Sequence, residues 1–126
     1  MNAYGAGLRE IRSARADGAR WWQGEGIDLF VWQDVAGVVS DFQLSIEEHG
    51  EAQTLSWRRG AGFTVLRVDA ERADDGHHAR TPLLVAGGSL DLRAVLRRFD
   101  EASLEIEGPL RVAMLKLLRE AADEAP

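Results

Sequence analysis

Between Ile27 and Ile46, in the stretch IDLFVWQDVAGVVSDFQLSI, apolar and polar residues alternate with a period of two. Alternation of this kind marks a half-buried β-strand, and the turn-forming residues Asp34 to Gly37 divide the stretch into a hairpin. Taking those residues as the connection pairs Gln33 with Val38, and therefore Val31 with Ser40, Leu29 with Phe42 and Ile27 with Leu44. The next connection runs through EEHGEA. Opposing Ile46 to Gln53 sets Leu44 against Leu55 and Phe42 against Trp57, so one apolar face extends over three strands. A slip of one residue would turn that face outward.

The flanking segments complete the pattern. LREIRSARADGARWWQGEG predicts two strands joined at Asp17-Gly18, although Leu8, Ile11 and Ala14 also fit a weak helical stripe, so residues 8–16 read as strand or helix. FTVLRVD predicts a strand whose register has two readings, one burying Phe63 and Val65, the other Leu66 and Val68. AERADDGHHART is a polar loop. TPLLVAGG is a short last strand, which Pro82 restricts to a strand start or a sheet edge. In SLDLRAVLRRFDEA, Leu92, Val95, Leu96 and Phe99 recur at helical spacing behind Ser89 or Asp91 as a cap. Gly108-Pro109 opens a second helix with a stripe of Leu110, Met114, Leu117, Leu118 and Ala121, widened by Val112 and Leu115. The expected fold is α+β: a single domain over residues 1–126, built as a curved antiparallel β-meander of about six or seven strands. Two C-terminal helices follow and cover the apolar face.

Composition narrows the function classes. The 126 residues include no cysteine, which removes disulfides, thiolate catalysis and Cys-based metal sites. A formal net charge of −6 disfavours nucleic acid as a partner. No apolar run is long enough to span a membrane and no leader pattern opens the chain, so a cytoplasmic protein is expected.

Candidate chemistry lies on the other side of the strands. In the same register one row reads Asp28, Gln43, Ser56 and the next Phe30, Asp41, Arg58, with Trp32 beside Val39. A carboxylate, an amide, a hydroxyl and an arginine beside large aromatics suit a polar ligand. A solvated sheet face accounts for the polar members equally, with Asp41 and Arg58 as a surface ion pair worth about 0–1 kcal/mol. Phe30 and Trp32 fit a solvated face poorly, because a contiguous exposed aromatic patch usually marks a contact. His77 and His78, behind Asp74 and Asp75, are metal-ligand residue types, but a loop leaves their geometry unconstrained and a solvated loop describes them better. No metal and no cofactor is expected. Arg9, Arg12, Arg15 and Arg20 read as a scattered surface, and neither a nucleophile elbow nor a phosphate-cradling loop is present.

The succession LREIRSAR, RWWQGEGIDLFVW, FQLSI, LSWRRGAGFTVLRVD, TPLLVAGG and a Phe-containing helix resembles a family of small bacterial proteins with no assigned activity. The resemblance implies a single-domain protein and carries over no functional residue. The expectation is a non-catalytic binding or assembly module, a homodimer joined through Phe30 and Trp32 or the surplus apolar surface of the last helix. The alternative is a small-molecule-binding protein or enzyme with a pocket formed by Asp28, Asp41, Gln43 and Arg58 beside aromatic walls.

Overall fold

Strand alternation becomes a single antiparallel sheet in the computed structural model, which describes residues 7–12, 17–48, 50–68, 80–84 and 90–124. Among these residues the strands are β1 (Arg9–Ile11), β2 (Arg20–Gly24), β3 (Ile27–Gln33), β4 (Val39–Glu48), β5 (Glu51–Arg58), β6 (Gly62–Val68) and β7 (Arg80–Leu84). They pair in chain order, a seven-stranded meander with β1 and β7 at its edges. Helices α1 (Leu92–Ala102) and α2 (Gly108–Glu124) follow. The architecture is therefore the α+β arrangement that the periodicities predict. None of the described helices is long and apolar enough to cross a membrane.

The β4–β5 register is the expected one, with Phe42 opposite Trp57 and Leu44 opposite Leu55. The β3–β4 register is not. Val31, Leu29 and Ile27 stand opposite Phe42, Leu44 and Ile46, two residues from the expected pairing. The first residue of the shift comes from the turn. Gly37 N donates to Asp34 O at 2.8 Å and Asp34 N to Val38 O at 2.8 Å, while Gly37 takes φ +85° in the left-handed region open to glycine. The Asp34 carboxylate accepts from Val38 N and Ala36 N and pairs with Arg59, which holds its pKa below the usual carboxylate value. The second comes from a bulge, because the register steps between Trp32–Asp41 and Gln33–Val39 and leaves Ser40 without an opposite. Two single-residue offsets restore parity, so the apolar face survives beyond Phe42. Val39, on the far side of the bulge, is buried in the core instead of standing beside Trp32.

The remaining strands resolve the open readings. β1 and β2 are strands, but Ile11 pairs with Trp21, giving a wider connection than a two-residue turn at Asp17-Gly18. The Asp17 carboxylate instead accepts from Ala19 N at 3.1 Å, making a local turn of its own. In β6, Phe63 and Val65 face the same side as Trp57 and Leu55, their cross-strand neighbours. β7 is an edge strand, where Pro82 is tolerated.

One buried cluster joins the sheet and the helices: Trp22, Leu29, Val31, Phe42, Leu44, Leu55 and Val65 from the strands, with Val95, Phe99, Leu110, Met114 and Leu118 from the helices. Asp91 caps α1, its carboxylate accepting from Ala94 N at 3.2 Å. Arg98 then ties α1 to the β2–β3 turn, donating to the carbonyls of Glu25 (3.1 Å) and Gly26 (3.2 Å). Gly26 is favoured there by its φ of +70°, and a Cβ, 2.9 Å from the Arg98 guanidinium, would have to displace the end of that side chain. Arg111 closes the helix hairpin, its Nε donating to Ser103 Oγ at 2.8 Å and its Nη2 to the Asp100 carbonyl and carboxylate. Arg20 clamps the opposite corner. It lies 4.6 Å over the Trp22 ring and pairs with Glu10 (2.9 Å) and Glu107 (2.8 Å). The hydrogen bond from Arg20 holds the Glu107 carboxyl below its usual pKa, and the two carboxylates raise that of Arg20.

Candidate functional site

Because the helices cover one face of the sheet, every second strand residue stands on the face they leave open. Leu29 and Val31 are fully buried, whereas Phe30 between them is only half-buried, as are Trp32 and Trp21. All six residues singled out in the sequence, Asp28, Phe30, Trp32, Asp41, Gln43 and Arg58, lie on this open face. Their rows differ from the expected ones by the two-residue offset. The observed rows are Asp28–Ser45–Thr54, Phe30–Gln43–Ser56 and Trp32–Asp41–Arg58.

An aromatic stripe crosses β2 and β3. Trp21 stacks on Phe30 with ring centroids 5.5 Å apart and planes within 12°, and Trp32 follows at 6.5 Å from Phe30. Trp21 is the first of two adjacent tryptophans in β2. Its partner Trp22 goes into the core, and strand alternation sends Trp21 outward against the ring directly across from it. Asp28 is used within the face, accepting from the Trp21 indole at 3.2 Å. Ser45 and Thr54 share a hydrogen bond of 2.7 Å.

A hollow of ≈ 520 Å³ opens on the β4–β6 side, lined among others by Trp32, Asp41, Gln43, Ser56, Arg58 and Thr64. Its origin is visible in the register. The row Trp32–Asp41–Arg58 continues to Gly62, which has no side chain and whose Cβ would meet nothing within 4 Å. Arg58 donates from Nε to the Asp41 carboxylate at 3.0 Å, with its own side chain 75% exposed. Arg59 leaves the open face and pins the two turns together, donating to Val39 O at 2.9 Å and pairing with Asp34 at 3.2 Å. Four of the six sequence candidates therefore meet around one hollow, while Asp28 and Phe30 belong to the neighbouring stripe.

The described residues contain no group of three or more His, Asp or Glu placed to hold a metal. His77 and His78, with Asp74 and Asp75, lie outside the described residues. The chain matches no family model, no curated protein and no solved structure.

Proposed function

We propose that this chain is a non-catalytic binding and assembly module that works through the open face of its sheet, and that this face joins two copies in a homodimer. The observation carrying the reading is the Trp21–Phe30–Trp32 stripe, three contiguous large rings left half-buried while the other face of the same strands is fully covered. Aromatic side chains are enriched at the centres of protein interfaces, and a polar rim surrounds such centres. Here the rim is supplied by Asp28, Gln43, Asp41 and Arg58. A two-fold axis through the stripe would set each stack against its own copy. Light scattering on wild type and on Phe30→Ser/Trp32→Ser tests this. The expected result is a dimer that becomes a folded monomer in the variant, and a wild type that stays monomeric at high concentration overturns the assembly reading.

A second reading, a small-molecule-binding protein, is favoured by the hollow beside Trp32. Its ≈ 520 Å³ lies within the range of ligand pockets, about 300–1,000 Å³.

A further inference from the structure

The hollow has a chemistry that selects among ligands. We infer that it takes a neutral, hydroxyl-rich ring, the chemistry of a saccharide unit, an inference that rests on the small-molecule reading above. Three observations converge on this class.

First, the lining is rich in polar side chains without internal partners. Gln43, Ser56 and Thr64 stand in one cross-strand row, and among the described residues none of their side chains makes a hydrogen bond. The amide offers donors and an acceptor, and each hydroxyl offers both. Vicinal hydroxyls of a sugar ring present the same mixture in return. Second, the charged pair is internally neutralised. Asp41 engages Arg58 through the guanidinium Nε, so the Arg58 Nη groups and the second Asp41 oxygen remain as donors and acceptor with no net charge between them. A free arginine would favour an anion, whereas this pair offers directed bonds to a neutral group. The formal charge of −6 on the whole chain further disfavours a polyanion. Third, Trp32 borders the polar floor. An indole face beside hydrogen-bonding groups provides apolar contact for the C–H side of a ring whose hydroxyls reach the row beyond it.

The test is a titration of the full chain with glucose, galactose, mannose, maltose and cellobiose, set beside benzoate and inorganic phosphate. Binding is followed by tryptophan emission and by amide shifts at Gln43, Ser56 and Thr64. Saturable millimolar binding of at least one neutral sugar is expected, weakened about tenfold in Trp32→Ala by loss of the ring contact. Gln43→Ala is expected to weaken it about fivefold, the equivalent of one neutral hydrogen bond. Circular dichroism confirms that each variant is folded, and Ser56→Ala provides a milder change on the same row. Running the series in Phe30→Ser as well removes a dimer seam that would cover the hollow. Preference for benzoate or phosphate with the same amides moving overturns the saccharide class and keeps the small-molecule reading. No saturable response to any probe overturns both.

Discussion

Phe42 shows how much a single strand position can carry. It is fully buried, stacks on Trp57 at 6.0 Å and meets the edge of Phe63 at 6.5 Å, so its ring closes a three-aromatic layer beneath the helices. Phe42→Ala is expected to lower the unfolding free energy by about 3–5 kcal/mol in urea titrations, through lost transfer energy and the cavity left behind. Glu107 acts through charge instead of volume. Its carboxyl titrates below the ordinary range because Arg20 donates to it, so its stabilisation is full above the unfolded pKa and is lost as pH falls through the folded one. The side chain is half exposed, which limits the effect to less than about 1 kcal/mol. Glu107→Gln should therefore be slightly less stable than wild type at neutral pH, with the gap between the two melting curves starting to shrink as pH falls past the ordinary glutamate pKa of about 4.3 and closing once it passes the lower folded value. Arg20 stays charged throughout, so no alkaline counterpart is expected.

The β3–β4 hairpin explains why a register derived from turn length is two residues out while the faces beyond the bulge, from Asp41 onward, are the expected ones. Turn length is invisible to hydrophobic alternation: a connection ending in a left-handed glycine adds one residue, and the bulge at Ser40 adds another. Each alone would have exchanged the faces, and together they cancel. Val38 and Val39 lie where only one of the two offsets has acted, which is why their sides are exchanged: Val39 is buried and Val38 exposed. Gly37→Val is expected to destabilise the protein by about 1–2 kcal/mol because a β-branched residue resists positive φ. Gly37→Asn should cost less, since asparagine tolerates that region, and equal costs for the two would show that the turn does not hold this conformation.

Sheet and helices together make one asymmetric body. The helices bury one face so completely that the core passes without interruption from Leu44 and Leu55 to Phe99 and Met114, while the opposite face keeps its aromatic stripe and polar rows. Removing α2 from Gly108 onward withdraws Leu110, Met114, Leu118 and Ala121 from that cluster. The truncated chain is expected to lose its cooperative thermal transition in near-ultraviolet circular dichroism. A sharp transition retained without α2 would mean that the sheet and α1 hold the core unaided.

Alternation and helical spacing suffice to establish the α+β class, the order of strands before helices, the β4–β5 register and the two faces of β3, β4 and β5 away from the hairpin turn, but neither the sides of Val38 and Val39 nor the face of β6. Each of these depends on local periodicity, and burial of one face penalises any slip of parity. The six candidate residues were legible for the same reason, as the outward set of three neighbouring strands. Tertiary structure decided which of them meet. The turn and bulge geometry placed Gln43, not Asp41, beside Phe30, the pairing of β2 with β3 brought Trp21 onto the ring stack, and the pairing of β5 with β6 left Gly62 at the end of the Trp32 row. Those outcomes depend on backbone dihedrals and on contacts between residues far apart in the chain, such as Arg20 with Glu107, which no local pattern encodes.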